Sequence, residues 1–213
     1  MKKALFILLS LAFAAGLFAL ISTSLHNFNG DAWNPGGEIC EPCHTPHAAL
    51  AVTDAPLWNH AATAEVFDQY LGYDMDADGG TVGEPAGISL LCLSCHDGVT
   101  ALDAFGGAAG DAVNNSLTSH DTLTGSVFGT DLTNDHPISI TYDTALTGVD
   151  TELHDPSGAN TFSAGVTIQD AMLGGGDQLE CSSCHDVHNT SALTSLLRKA
   201  NTASALCLTC HDK

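Results

Sequence analysis

The sequence predicts a fold that is mostly coil, with a few short α-helices and minimal β-structure. Only 6% of the 213 residues are aromatic, and 21 are glycine. The stretch from Asp97 to Glu180 is dominated by Gly, Ala, Thr, Asn and Asp, which favour turns and loops. So few large apolar side chains make a weak conventional core for this length. A pentapeptide that occurs four times predicts an additional source of buried apolar surface.

Four Cys-X-X-Cys-His (CXXCH) pentapeptides use all eight cysteines. They are Cys40-Glu41-Pro42-Cys43-His44, Cys92-Leu93-Ser94-Cys95-His96, Cys181-Ser182-Ser183-Cys184-His185 and Cys207-Leu208-Thr209-Cys210-His211. This is the attachment signature of c-type haem, in which both thiols bond to the porphyrin and the histidine becomes an axial ligand of the iron. Neither disulfides nor zinc sites need a histidine directly after each cysteine pair. We therefore predict four covalent haems, whose buried porphyrins form a haem-filled core.

The first 19 residues resemble a secretory signal peptide. Lys2 and Lys3 form its charged start, and an unbroken apolar stretch follows from Ala4 to Ile21. An uncleaved membrane anchor is the alternative, although the stretch lies near the lower limit of about 17 residues for a spanning helix. We expect an exported protein, extracellular or at the cell surface, or alternatively periplasmic. We expect no stable membrane span after signal removal.

The chain is strongly acidic, with a net charge of −20 at pH 7. Removal of the signal peptide leaves only Arg198, Lys199 and Lys213 as basic residues. Nucleic acid binding is excluded, because there is no basic patch to neutralise phosphates. The charge favours solubility and cationic partners, and any self-assembly has to overcome repulsion.

The predicted tetrahaem domain, residues 20–213, contains two units with the same order of motifs. The first, about 26–100, opens with CXXCHXXH at Cys40–His47 and closes with Leu-Cys-Leu-Ser-Cys-His-Asp at 91–97. The second, about 181–213, opens with CXXCHXXH at Cys181–His188 and closes with Leu-Cys-Leu-Thr-Cys-His-Asp at 206–212. A connecting segment, about 101–180, joins them. The repeat predicts one pair of haems in each unit.

Local patterns predict a few short elements. Helices are expected at Ala62–Leu71, Ile88–His96, Ala192–Lys199 and Ala203–His211. A strand or two is expected within Val127–Thr144, interrupted at Pro137.

Four haems need eight axial ligands, and His44, His96, His185 and His211 supply four. Methionine is nearly absent, so the balance favours bis-histidine iron and low reduction potentials. His47 and His188 each follow a motif histidine by three residues and can reach a neighbouring haem. The expected assignment gives His47 to the haem on Cys92 and Cys95, and His188 to the haem on Cys207 and Cys210.

The opening haem of each unit then needs a ligand from upstream. His26 precedes the first unit, and His136 precedes the second, where Asp135 can orient its ring. His60 is the main competitor. His120 and His154 lie in polar loops and are expected to be solvated.

The motif order resembles the doubled-CXXCH cytochromes, in particular the tetrahaem OmcE-type cytochromes that polymerise into extracellular filaments. It runs from His26-Asn27-Phe28 through Pro56-Leu57-Trp58-Asn59 and Asn134-Asp135-His136-Pro137-Ile138 to the C-terminus. The resemblance implies bis-histidine haems in alternating stacked and T-shaped pairs, with one axial ligand from an adjacent subunit. It supports His26, His47, His136 and His188 as distal ligands, which bind the iron on the side opposite the motif histidine. The terminal position of His26 makes it the expected ligand for an iron of the adjacent subunit. The chain departs from the pattern in its acidic loop at 74–84 and its shortage of basic residues, which bears on its surface partners.

The acidic loop begins like a calcium site. Asp74, Asp76 and Asp78 alternate and Gly79 follows, but Pro85 occupies the position where an EF-hand has its final glutamate. A simpler Ca²⁺ loop and a solvated acidic turn remain, and the turn is the favoured interpretation.

Three functions fit these observations. The first is electron transfer without bond-making chemistry, as a self-assembling subunit of an extracellular filament (a nanowire) that links redox donors at the cell envelope to external acceptors. The second is a monomeric periplasmic or extracellular electron shuttle. The third is a multihaem reductase with one five-coordinate iron. We favour the first, and therefore expect that the protein is not an enzyme.

Overall fold

The structure is a computed structural model. It describes residues 21–52, 55–70, 75–80, 82–111, 126–159, 161–174 and 176–212. The predicted signal peptide, Asp74 and His120 lie outside the described residues. Within the described ranges, no helix is both long and apolar enough to cross a membrane.

Regular structure is sparse, which confirms the prediction of a mostly coil chain. The helices are α1 (Gly87–His96), α2 (Thr144–Val149), α3 (Ile168–Met172), α4 (Cys181–Cys184) and α5 (Cys207–Cys210). Short 3-10 turns lie at Ala77–Gly80, Thr194–Leu196 and Thr202–Ser204. The strands β1 (Ile140–Thr141) and β2 (Gln178–Leu179) pair antiparallel, with Ile140 opposite Leu179.

The helix predicted at Ile88–His96 is confirmed by α1, and the strand predicted within Val127–Thr144 by β1. The helix predicted from Ala62 is wrong over the described residues 62–70. There the backbone N–H of Phe67 donates to Glu84 Oε2 (3.0 Å) and that of Asp68 to the carbonyl of Thr130 (2.8 Å). These donors bond to other segments instead of to the preceding turn, so no helix forms.

The two predicted C-terminal helices are largely wrong for a different reason. Of Ala192–Lys199 only a 3-10 turn forms, and Ser195 within it has a φ of 57°. Of Ala203–His211 only α5 is α-helical, because Ala203 and Ser204 have φ values of 53° and 61°. Residues with positive φ cannot continue a right-handed helix.

Buried apolar side chains form small separate clusters in the described part of the chain. The largest joins Tyr142, Ile168, Met172, Leu173 and Leu206. The others are Trp33 with Leu102, then Phe67 with Leu93 and Leu132, and finally Ala77 with Val82 and Ile140. A conventional domain of this size usually has one contiguous core. The side chains alone thus form only a weak core, as the composition predicts.

One carboxylate joins the two halves of the chain. Helix α1 begins after Ala86, which cannot cap it, and Glu180 accepts hydrogen bonds from the N–H (3.1 Å) and the hydroxyl of Ser89 instead. The same side chain accepts the N–H of Ser183 in a capping box at α4. Glu180 therefore caps two helices that each carry a CXXCH motif, and it holds them against each other.

Candidate haem sites

The thiols of successive motifs influence one another electrostatically. The thiols of Cys92 and Cys181 share a hydrogen bond, which raises the pKa of Cys92 and lowers that of Cys181. Burial and then the neighbouring Cys43 raise the pKa of Cys95. Burial and then Cys184 raise the pKa of Cys210 to about 11. Each motif thus has a thiol that interacts electrostatically with a thiol of the next motif, from the first motif to the fourth.

All eight cysteines lie within the described residues, and none of them pairs with another in a disulfide. Among the described residues, no group of three or more His, Cys, Asp or Glu side chains is arranged to hold a metal ion. The cysteines are therefore available for attachment to a porphyrin, and they do not converge on a zinc-type site.

Three motif histidines are oriented by backbone carbonyls. The Nδ1 atoms of His44, His96 and His185 lie 2.9, 2.5 and 2.8 Å from the carbonyl oxygens of Pro56, Ser126 and Ser195, respectively. A carbonyl can only accept, so Nδ1 carries the proton and Nε2 keeps its lone pair. This is the arrangement that presents an imidazole to a metal.

The opening motifs of the two units share a pattern of backbone hydrogen bonds. In the first, the N–H of Thr45 donates to Leu57 (2.8 Å), and that of Asn59 donates to Cys43 (2.9 Å). The equivalent bonds in the second run from Asp186 to Leu196 (2.6 Å) and from Arg198 to Cys184 (2.9 Å). Leu57 and Leu196 also share a positive φ, at 60° and 58°. The repeat seen in the sequence thus extends to the local geometry around each motif.

Three motif histidines each face a second histidine across a similar gap. Ring centres are 6.2 Å apart for His44 and His188, 6.2 Å for His26 and His96, and 6.3 Å for His136 and His211. Metal–imidazole bonds are about 2.0–2.1 Å long and a ring centre lies about 1.1 Å beyond its nitrogen, so two imidazoles on one ion have centres about 6.3 Å apart. The spacing of each pair fits bis-histidine coordination of one iron.

These pairs differ from the expected assignment. His188 faces His44 instead of His211, His136 faces His211 instead of His185, and His26 faces His96 instead of His44. The expectation assumed that each unit completes its own irons. In the structure, α1 packs on α4 through Glu180, so the opening turn of the second unit lies over the first motif.

His47 and His185 are the members of the predicted ligand set that stand apart from these pairs. Both are exposed, and neither ring faces another ring in the described residues. The competitor His60 is 1% exposed, and its two ring nitrogens lie 2.8 and 3.2 Å from the carbonyl oxygens of Ala61 and Leu102. Its Nε2 is also 3.6 Å from Cys95 Sγ of the second motif, and its role as a ligand stays a prediction. His154 lies near the fourth motif, where its backbone N–H donates to Cys210 (2.8 Å).

The surroundings of the histidine pairs are apolar and exposed, which fits a large flat hydrophobic group. Leu25 and Val187 each adjoin a paired histidine, and Phe128 lies 6.0 Å from the ring of His96, yet all three are exposed. Trp58 packs edge-on against His44, and its buried indole N–H has no acceptor in the described residues. Such side chains are accounted for if a porphyrin with polar substituents lies against them.

The described part of the acidic loop does not by itself form a calcium site. Asp76 and Asp78 line a surface pocket with Thr141 and Asp143. In the part of the loop that the structure describes, they do not form a group able to hold a metal ion. The third predicted ligand, Asp74, lies outside the described residues, so the calcium site stays a prediction.

Comparison with known proteins identifies one family feature. The sequence model of the protein family described as "Doubled CXXCH motif" matches residues 174–213, which contain the third and fourth motifs. No curated protein matches the chain. The doubled motif indicates covalently bound haem c and electron transfer. The chain is therefore consistent with a multihaem c-type cytochrome.

Proposed function

We propose that the chain binds four haems c, each with two histidine ligands, and conducts electrons as the repeating subunit of an extracellular filament. The single observation that carries this proposal is the ligand pattern. Three of the four motif histidines have an imidazole opposite them, and the fourth, His185, lacks one in the described residues. His47 is the distal candidate left over. An iron without a ligand and a ligand without an iron in one chain fit an exchange between neighbouring copies.

The His47 turn is suited to reach outward. Its N–H is 3.5 Å from Thr45 Oγ1, a weak contact, whereas the equivalent N–H of His188 donates to the Asp186 carboxylate at 3.1 Å. The Asp186 carboxylate also accepts two hydrogen bonds from Thr190. The turn that places His188 within the chain is thus held more firmly than the turn of His47.

Apolar surface lies beside the same turn. Leu50 and Leu57 are 46% and 53% exposed, and the backbone N–H of Thr45 donates to Leu57 (2.8 Å). Burial of these side chains against another copy would contribute to association. With a net charge of −20, copies repel one another, so a coordinate bond from His47 would add the directional strength that the polymer needs.

The wider role follows from this assembly. The filament would take electrons from donors at the cell envelope and pass them to external acceptors, after export directed by residues 1–19. Haem c supplies a reversible one-electron couple, and the protein contributes ligands, orientation and exclusion of water. We propose no catalytic residue, because electron conduction makes and breaks no bonds.

The test combines electron microscopy of secreted material, mass spectrometry and electron paramagnetic resonance (EPR). We expect a mass of the chain plus four haems, filaments, and low-spin iron throughout. The His47→Ala variant should yield monomers in which one iron in four is high-spin. His120→Ala and His154→Ala are the matched controls, because these two histidines, besides His47 and the buried His60, lie outside the three pairs and could complete the iron at His185 within one chain. Monodisperse wild-type particles under all conditions, with four low-spin irons, would reject the filament.

A reductase is a second candidate, because His185 has no imidazole opposite it in the described residues. If that position stays open in the assembled protein, the iron can bind a small ligand. Carbon monoxide or nitrite should then perturb the spectrum of one haem in four. A filament whose spectrum is unchanged by either molecule would exclude the reductase. The monomeric shuttle predicts the same haems and no polymer.

A further inference from the structure

The positive charges in the described part of the chain lie beside the third and fourth CXXCH motifs. Arg198 and Lys199 are consecutive, and they are the only Lys or Arg residues in the part of the chain that the structure describes. Both are partly buried. In a protein with 25 acidic residues, this placement makes the two halves electrostatically unequal.

Arg198 belongs to the third motif. Its Nε donates to the carbonyl of Ser182 (2.5 Å), which lies between the two cysteines, and its backbone N–H donates to Cys184 (2.9 Å). The charge acts on the attachment point. Burial, followed by Cys181 and Cys207, raises the pKa of the Cys184 thiol, and Arg198 opposes them.

Lys199 belongs to the fourth motif. Its Nζ donates to Thr209 Oγ1 (2.9 Å), between the two cysteines of that motif, and to the carbonyl of Phe162 (3.2 Å). It also lies 5.1 Å from the centre of the Phe162 ring, in a cation–π contact. Three contacts hold this ammonium group at one position, so its charge has a defined location relative to the motif.

Acidic residues do not cancel this difference, because every motif has one. Glu41 lies within the first motif, and Asp97, Asp186 and Asp212 directly follow the other three. Glu180 also directly precedes the third motif, but it bonds to Ser89 of α1 as well as to α4, so its charge acts on the second motif and the third together. The two cations are what distinguishes the third and fourth.

We propose that Arg198 and Lys199 raise the reduction potentials at the third and fourth motifs above those at the first and second, so that electrons collect in the C-terminal half of each chain. This rests on the proposed set of four haems. A fixed positive charge favours the Fe(II) state, which carries one electron more than Fe(III), and partial burial limits its screening by salt. Each transfer oxidises one iron of the chain and reduces another, with no bond or proton moved.

The test is a redox titration of the complete secreted protein, followed by magic-angle-spinning solid-state NMR, which suits a filament, with the haem methyl signals assigned to their motifs. We expect the haems at the third and fourth motifs to be reduced first. Arg198→Gln and Lys199→Gln should each lower the equilibrium constant for reduction at the adjacent motif by about tenfold, which is about 59 mV. Arg198→Lys and Lys199→Arg keep the charge and should retain most of the potential.

The outcomes separate this inference from the proposed function. A mass with fewer than four haems would contradict the proposed function itself. Four haems of which those at the first and second motifs are reduced first would overturn the inference alone, and this result needs no variant to fold. Equal shifts in the glutamine and charge-conserving variants would also overturn it, because lost contacts and not lost charge would then set the potential.

Discussion

Replacement of Glu180 by glutamine tests how the two halves of the chain are joined. The carboxylate accepts from the N–H and hydroxyl of Ser89, from the hydroxyl of Ser139 (3.2 Å) and from the N–H of Ser183. Glutamine keeps the shape but has one acceptor oxygen in place of two, and it brings an NH₂ group against groups that already donate. One of the two helix caps is therefore lost, along with the negative charge at both helix N-termini.

The expected cost can be estimated from these contacts. A lost N-cap costs about 1 kcal/mol, and loss of a charge near a helix N-terminus costs about 0.5 kcal/mol at each of the two helices. The free energy of unfolding should therefore fall by about 2 kcal/mol, and for a chain of this size the melting temperature should fall by about 4–8 °C. The measurement is urea unfolding at pH 7, followed by circular dichroism.

Glu65→Gln is the matched control, because it makes the same change of charge at an exposed side chain. That variant should stay within about 0.5 kcal/mol of the wild type. If Glu180→Gln is no less stable than Glu65→Gln, then the carboxylate does not join the halves as described, and the reason given for the crossed histidine pairs fails with it.

Three further substitutions probe other parts of the fold. Gly87 has a φ of +52°, and an added Cβ would lie 2.7 Å from a carboxylate oxygen of Glu180. Gly87→Ala should therefore lower the unfolding free energy by at least about 1–2 kcal/mol. The control is Gly83→Ala, where an added Cβ meets nothing within 4 Å, and equal stability of the two variants would contradict the prediction. Tyr142→Phe removes a hydroxyl that donates to a backbone carbonyl 2.6 Å away, and should cost about 1 kcal/mol in urea unfolding, whereas an unchanged midpoint would show that the bond contributes nothing. Asp186→Asn loosens the turn of His188, so part of the iron at the first motif should become high-spin in EPR, and a fully low-spin spectrum would count against a positioning role.

The distal histidines show where sequence reasoning stops. The reasoning selected His26, His136 and His188, and the structure places each of them opposite a motif histidine. The partners it assigned differ from the histidines that lie opposite in this geometry, because it paired residues by their order along the chain; the ligation of each iron stays a prediction. The pairs are set by which segments pack against each other, and no local pattern encodes that. His47 carries the same local signal as His188, yet it lies alone on the surface.

The secondary structure also includes one element that the sequence predicted correctly and others that it did not. Helix α1 could be predicted because its apolar residues and its motif lie in one continuous segment. The segment from Ala62 also has a helical pattern, but its N–H groups at Phe67 and Asp68 bond to Glu84 and Thr130, which are distant in sequence. Where distant partners satisfy the backbone, intrinsic helix propensity does not decide the conformation.

The sequence by itself determined the cofactor chemistry, since a CXXCH motif brings thiols and imidazole together within five residues whatever surrounds it. It also determined the low content of regular structure, through its glycines and its few aromatic side chains. Only the tertiary structure decided which imidazoles face each other, and which two stand apart. Those relations depend on contacts such as that of Glu180 with Ser89, across 91 positions of the chain. The physical reason is that attachment is covalent and local, whereas the second axial position is filled by whichever segment folds over it.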